Sequence, residues 1–148
     1  NKLTIKINYS KAKNFAFFEK YVEPIILKNY SKLVDLNIEI IETISKKYFN
    51  LKTKFLRQSD ITTSSKGNGL ILEICKKLEA KKYLSGPGGR NYLIEDEFKK
   101  EKIDILYKQN YLPDNYPQLY PKQGFINDIS AIDFILNNKM EWSNYYNL

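Results

Sequence analysis

The sequence predicts an α/β fold, with a parallel sheet built from βα units over residues 52–109, an N-terminal helical pair and a C-terminal helix. Apolar residues at helical spacing dominate residues 1–50 and return near the end of the chain. Between them, short β-patterned runs alternate with amphipathic runs, an order typical of parallel strands joined by crossovers. We therefore expect a single α/β domain over residues 1–148, of the kind an incomplete Rossmann-like domain would form.

The helical pair comes from two apolar runs. The first, "KNFAFFEKYVEPIILKNY", has helical spacing, and Pro24 should bend or restart it. The second, "SKLVDLNIEIIETISKKYF", offers Ser31 as N-cap. At the start of the chain, Leu3, Ile5 and Ile7 alternate as in a strand, yet Leu3 and Ile7 also fit a helix, and the residues alone leave both open.

The middle of the chain supplies the predicted βα units. The strands are "KTKFLRQ", "KKYLS" and "KIDILYKQ". The predicted helices are "GLILEICKKLEA" and "RNYLIEDEFKKE", with the loop "DITTSSKGNG" before the first and the turn "GPGG" before the second. A long loop, "NYLPDNYPQLYPKQGFIND", then leads to the last helix, "ISAIDFILNN".

Five of the six glycines lie in two loops, "SSKGNG" and "SGPGG". Parallel strands place such loops at one edge of the sheet, where ligands of open α/β sheets bind. Free backbone N–H groups and the arginine fork suit an anion, so we expect one polar pocket there. Its candidate ligand-binding residues are Ser64, Ser65, Lys66, Gly67, Ser85, Gly86, Gly88, Gly89 and Arg90. The alternative is a stiff turn, since Pro87 removes an N–H and neither loop matches a dinucleotide fingerprint or a P-loop.

The long loop and the last helix carry further polar candidates. Tyr116 and Gln118 are candidate ligand-binding residues, because loop tyrosines stack on bases and sugars; they equally pack a loop down. Asp133 follows Ser130 by three residues, and "SAID" resembles a capping box, so a structural hydrogen bond competes with a catalytic role for this carboxylate.

Composition restricts the chemistry. The chain has no histidine and one cysteine, which excludes Ser-His-Asp and Cys-His nucleophilic sites, a structural zinc site and an internal disulfide within it. Cys75 borders the apolar stripe of its helix and should be a buried, unreactive thiol. The chain has no run of about 18 apolar residues, so no transmembrane helix is expected. Residue 1 is not Met and no secretory signal follows it, so we expect a processed chain or a piece of a longer one.

The net charge of +7 invites a nucleic-acid interpretation. The basic residues are nearly all lysines spread along the chain, with arginine at Arg57 and Arg90 alone. A solvated basic surface is therefore favoured over a polyanion site, and a nucleic-acid binder using lysines and tyrosines remains the third alternative. Its affinity would fall steeply with salt.

The chain resembles the WbqC-like family of bacterial proteins. The resemblance rests on "LILEICKKLEAKKYLSGPGGRNYLIEDEF" and "NYPQLYPKQGFINDISAIDFILNN", and more loosely on "YSKAKNFAFFEKY" and "LVDLNIEII". The family's "YLSG…G…YL" stretch falls on Tyr83 to Leu93, and its "YPQL…F…LS…D" stretch runs from Tyr116 to Asp133. The resemblance also implies that residues 3–9 form a helix. Family members normally begin with a strand and a loop that have no equivalent here, so the chain resembles the C-terminal part of a member.

The resemblance implies a function. Members are associated with surface polysaccharide (O-antigen) gene clusters, and some are labelled glycine transferases. This implies a cytoplasmic transferase acting on a nucleotide-linked amino sugar, with an acyl donor as second substrate; the cofactor stays unknown at this point. Asp133 and Asp114 are the candidate bases for the sugar amine. The alternative is a non-catalytic nucleotide-sugar-binding module of a larger assembly, which the missing N-terminal segment favours and which could include that segment or a partner chain.

Overall fold

The structure, a computed structural model, describes residues 2–108, 115–127 and 129–139, with the backbone alone for residues 2 and 3. It is a mixed helix and strand fold with a small parallel sheet. The α-helices are α1 (Lys2–Tyr9), α2 (Phe15–Phe17), α3 (Glu23–Ile26), α4 (Leu33–Thr43), α5 (Gly67–Lys77), α6 (Glu95–Lys100) and α7 (Ala131–Asn137), and the strands are β1 (Lys82–Ser85) and β2 (Asp104–Tyr107).

The chain divides into two compact units. The first comprises Asn1–Lys54 with Pro113–Leu148, and the second comprises Phe55–Leu112. The expectation of one domain stays a prediction.

The first unit begins with the predicted helices. Residues 3–9 lie in α1, as the family resemblance implied. Helix α2 continues through a π-helical turn, Phe18–Val22, into α3. Pro24 sits in the first turn of α3, where its missing N–H breaks no helical hydrogen bond. The prediction was that Pro24 bends or restarts the helix; the α-helical segment α3 begins beside it, directly after the π-helical turn.

Helix α4 starts later than predicted. Its N-cap is Lys32, which makes no side-chain capping bond, so the prediction of Ser31 as N-cap was wrong. Ser31 lies one residue too early, because a capping side chain must immediately precede the first helical residue to reach its free N–H groups. The helix ends in a second π-helical turn, Ile44–Tyr48.

Aromatic and aliphatic side chains of the N-terminal helices and α7 form the core of the first unit. Phe18, Ile135 and Leu136 are completely buried. Each contributes about 1.5–3 kcal/mol by leaving water. The backbone joins the same elements, since the Asn14 N–H donates to the Leu136 carbonyl at 2.9 Å. Helix α7 is thereby fixed against the chain's beginning.

The second unit contains the sheet. β1 and β2 pair in parallel, from Lys82 beside Asp104 to Ser85 beside Tyr107, with α6 in the connection between them. This confirms the predicted βαβ order for the last two strands. Cys75 packs with a small apolar core and is buried, as predicted.

Two predictions for the second unit were wrong. Residues 52–58 form no strand: they are exposed apart from Phe55, and a short 3₁₀ turn, Gln58–Asp60, follows. Lysines alternating with a few apolar side chains give the stretch a β pattern but no apolar face to bury against a neighbour. The next helix starts at Glu95 instead of Arg90, because a 3₁₀ turn, Pro87–Asn91, occupies the glycine-rich stretch. The Rossmann-like arrangement stays a prediction.

Candidate functional site

Asp133 is the centre of a buried hydrogen-bond network in the first unit. It lies in the first turn of α7 with 4% of its surface exposed. Its Oδ1 accepts from the Tyr9 hydroxyl at 2.7 Å and from Asn137 Nδ2 at 3.1 Å. Its Oδ2 accepts from the Tyr116 hydroxyl at 2.6 Å and from Gln118 Nε2 at 3.0 Å. The structural hydrogen bond expected of Asp133 is therefore present.

These four donors determine what the Asp133 carboxylate can do. A carboxylate offers about four lone-pair sites, two on each oxygen. All of them are occupied by the protein, so a ligand gains no free acceptor on Asp133 itself. The catalytic role of Asp133 stays a prediction, and any proton it takes must travel along an existing hydrogen bond.

Gln118 fixes the loop in front of α7. Its Oε1 accepts from the Ile126 N–H at 2.9 Å, and its Nε2 donates to the Ile126 carbonyl at 2.9 Å. Beside it, the buried Tyr116 ring packs edge-on against Phe125 and Phe134, with ring centroids 5.1 Å apart in both pairs. Tyr116 and Gln118 thus hold this loop against α7.

A pocket of about 290 Å³ opens between α1, this loop and α7. Aliphatic side chains cover part of its wall, contributed by Ile5, Leu119, Ile126 and Ile129. The polar groups that line it belong to Thr4, Asn8, Tyr9, Gln118, Tyr120, Gln123 and Asp133, with Gly124 between them. An apolar wall with a few placed polar groups is the usual character of a small-molecule site, and this volume lies at the lower end of the range.

Two tyrosines share Asp133 but differ in their surroundings. The Tyr116 hydroxyl oxygen accepts from Gln118 Nε2 at 3.2 Å, and burial, followed by the Asp133 hydrogen bond, raises the pKa of Tyr116 to about 12. Tyr9 lines the pocket, and no residue in the described ranges donates to its hydroxyl oxygen. Burial and Asp133 raise the pKa of Tyr9 far above its ordinary value. Tyr9 is thus a neutral phenol whose oxygen lone pairs are left for a ligand.

The first glycine loop belongs to the second unit, and it already holds a carboxylate. The backbone N–H groups of Ser64 and Ser65 donate to Glu73 Oε2 at 3.1 and 3.0 Å. These bonds, that of Ser65 first, lower the pKa of Glu73 to about 2. Lys66 precedes α5 without capping it, and Gly67 has a left-handed φ of 56°. An internal anion thus occupies two backbone amides of this loop, and ligand binding by the loop stays a prediction.

The second glycine loop follows β1 directly, as predicted. Ser85 is buried, and its hydroxyl donates to the Gly86 carbonyl at 3.1 Å. Gly89 is packed against Ser85, whereas Gly88 has open space where a Cβ would be. Arg90 is exposed, and its guanidinium lies 4.0 Å from the centre of the Tyr107 ring. This leaves the arginine N–H groups in solvent, at the carboxyl end of both strands.

The prediction that the two glycine loops form one pocket depended on a strand before "SSKGNG". Residues 52–58, where that strand was expected, form none. The cavity beside that loop is lined by Ser65, Gly69, Leu72, Glu73, Lys76 and Lys77, none of them in "SGPGG". The pairing of the two loops stays a prediction.

Sequence reasoning missed Thr4, Asn8 and Tyr9, the polar residues that α1 contributes to the pocket. Tyr9 begins "YSKAKNFAFFEKY", one of the loosely matching stretches, which was the available signal. Asp114, the other candidate base, lies outside the described residues. Within the described ranges, no group of His, Cys, Asp and Glu side chains could hold a metal ion.

Comparisons with known proteins define the family. The chain is 26% identical over 142 residues to the uncharacterized protein Rv1507c of Mycobacterium tuberculosis (strain ATCC 25618 / H37Rv). The match covers 95% of this chain and 60% of that protein. No solved structure matches the chain. None of the helices in the described ranges has the length and apolarity needed to cross a membrane. The model of the WbqC-like protein family matches residues 2–145, and the chain belongs to this family.

Proposed function

We propose that this protein is a transferase acting on a nucleotide-linked amino sugar in surface polysaccharide biosynthesis, and that the pocket beside Asp133 binds the sugar. The pocket itself carries the proposal. Its hydrogen-bonding groups and aliphatic wall suit the alternating hydroxyls and C–H surfaces of a hexose. Family membership supports the substrate class, and the cytoplasm, where nucleotide sugars are made, is the proposed location.

Aminoacyl or glycyl transfer is the proposed reaction. The sugar ammonium first loses a proton to solvent, and the neutral amine then attacks the carbonyl carbon of an activated acyl donor. A C–N bond forms, the bond between that carbon and the leaving group breaks, and the leaving group departs with its electron pair. The nitrogen gives its surplus proton to the leaving group or to solvent. Such a reaction depends mainly on positioning, which is compatible with a chain that has no histidine. The network around Asp133 supports positioning because it holds α1, the loop and α7 around one cavity.

A second candidate is a nucleotide-sugar-binding module without catalysis. The filled acceptor sites of Asp133 favour it, because this is the one carboxylate that lines the pocket among the described residues. Both candidates predict sugar binding, and turnover alone separates them.

Pocket filling tests the proposal. Ile126→Trp places an indole in the pocket, and Ile41→Trp is the matched control: the two isoleucines are 51% and 54% exposed, and Ile41 does not line the pocket. Calorimetric titration with UDP- and dTDP-linked amino sugars should give binding in the wild type and in Ile41→Trp, and at least about tenfold weaker binding in Ile126→Trp.

Equal affinity in both variants would place the site elsewhere, and no binding by the wild type would overturn the proposed function. Incubation with an acyl donor then decides between the two candidates. Acylated sugar supports the transferase, whereas binding without product supports the module.

A further inference from the structure

The hydroxyl oxygen of Tyr9 is the strongest unassigned feature of the pocket. The hydroxyl donates its proton to Asp133 Oδ1 at 2.7 Å. Towards a ligand, the oxygen therefore offers only its lone pairs. Within the described ranges it accepts from no protein group, whereas Tyr116 both donates to Asp133 and accepts from Gln118. Tyr9 is therefore built to accept a hydrogen bond, and it selects for a ligand group that donates one.

The charge around this oxygen favours a cation. Asp133 is the one charged residue among the described residues that line the pocket, although the chain carries 24 Lys and Arg against 17 Asp and Glu. On the same helix as Tyr9, Lys6 is paired with Glu23 at 2.9 Å. A positive ligand group beside Tyr9 would thus meet the Asp133 charge one hydrogen bond away, without a competing lysine in the pocket wall.

We infer that Tyr9 binds the ligand's primary amine in its ammonium form, with the Tyr9 hydroxyl oxygen as acceptor and Asp133 behind it. This inference rests on the proposed function. It identifies the Tyr9 hydroxyl oxygen as the protein atom that distinguishes an amino sugar from other nucleotide-linked sugars. A ketone in the same place would face the Tyr9 lone pairs with lone pairs of its own. A hydroxyl could donate but would bring no charge.

The inference is tested with two matched ligand pairs in calorimetric titrations. The pairs are UDP-glucosamine with UDP-glucose, and a dTDP-linked 4-amino-4,6-dideoxyglucose with its 4-keto counterpart. In at least one pair the wild type should prefer the amine, by about five- to tenfold over the hydroxyl, because hydrogen bonds from charged groups are stronger than neutral ones. A preference of about a hundredfold is expected over the ketone, which leaves the acceptor unpaired.

Tyr9→Phe removes the acceptor and keeps the ring, so the preference for the amine should fall by at least about threefold, and the preference that is left comes from the Asp133 charge. Tyr30→Phe is the matched control: the Tyr30 hydroxyl also donates to a carboxylate, Glu39 Oε2 at 2.7 Å, but Tyr30 does not line the pocket. It should keep the wild-type preference. Should Tyr9→Phe not fold, the wild-type preference between the paired ligands decides, and equal affinity for the amine and its partner overturns the inference.

The outcomes separate this inference from the proposed function. Equal binding of amine and partner sugar by the wild type, or a preference that is undiminished in Tyr9→Phe, overturns the role of Tyr9 and leaves nucleotide-sugar binding intact. A wild type that binds none of the four ligands overturns both.

Discussion

Alanine at Gly89 should destabilise the second unit by about 1–3 kcal/mol, the usual cost of overpacking a core. A Cβ at Gly89 would lie 2.0 Å from Ser85 Oγ, 3.1 Å from Ser85 Cβ and 3.0 Å from Leu93 Cδ1. These distances are well inside the roughly 3.5–4.0 Å at which non-bonded atoms attract. Ser85 and Leu93 are 2% and 8% exposed, so neither side chain can move into solvent to make room.

Urea denaturation followed by circular dichroism measures this cost. The matched control is Gly88→Ala in the same turn, where no atom lies within 4 Å of the added Cβ. That variant should be neutral or stabilised by up to about 1 kcal/mol, because alanine reduces the entropy of the unfolded chain. In the double variant Ser85→Gly/Gly89→Ala, the clash with Ser85 disappears, and we expect a coupling of about 0.5–3 kcal/mol. Equal stability of Gly89→Ala and Gly88→Ala would refute the reasoning.

Three further predictions concern the second unit. Arg90→Ala should weaken binding of free UDP or dTDP by about 1.5–3 kcal/mol if the exposed guanidinium binds phosphate, and should cost less than about 1 kcal/mol of stability; unchanged calorimetric affinity would reduce "SGPGG" to a turn. Cys75 should react with a thiol reagent at the rate of global unfolding, since burial raises the pKa of its thiol; rapid labelling of the folded protein contradicts this. The pKa of Glu73 is lowered in the folded state from 4.5 to about 2, so its stabilisation is present above pH 4.5 and is lost as the pH falls towards 2. Wild type should therefore lose urea resistance relative to Glu73→Gln in that window, and a constant difference between the two would count against the Ser64 and Ser65 bonds.

Local patterns predicted most of the secondary structure. Apolar spacing located the N-terminal helices, and Ser130 caps α7 as expected, its Oγ accepting from the Ile132 N–H at 3.1 Å. The βαβ order of β1, α6 and β2 was visible because short apolar strands flank an amphipathic run. The strand expected over residues 52–58 failed because an alternating pattern specifies a strand only when a neighbour supplies its hydrogen bonds.

The candidate site could be predicted only in part. Asp133, Tyr116 and Gln118 were candidates, but their partner Tyr9 lies 124 residues away from Asp133 in the sequence. Nothing in local spacing encodes such a contact, since it depends on how α1 packs against α7. The glycine loops were predicted to bind an anion because such loops present free amides. In the first loop, however, the amides of Ser64 and Ser65 donate to Glu73.

The network around Asp133 gives the "YPQL…D" stretch a physical explanation. A buried carboxylate is costly unless donors surround it, so an aspartate at this place in α7 requires neighbours such as Tyr116 and Gln118. Tyr116 and Gln118 lie two residues apart, and both donate to Asp133 Oδ2. The stretch therefore has a structural reason to exist, independent of any reaction. The structural explanation is incomplete for Tyr9. Its hydroxyl donates to Asp133, but no described residue donates a hydrogen bond to its oxygen. The test of function belongs at Tyr9, where the structure leaves an acceptor open to a ligand.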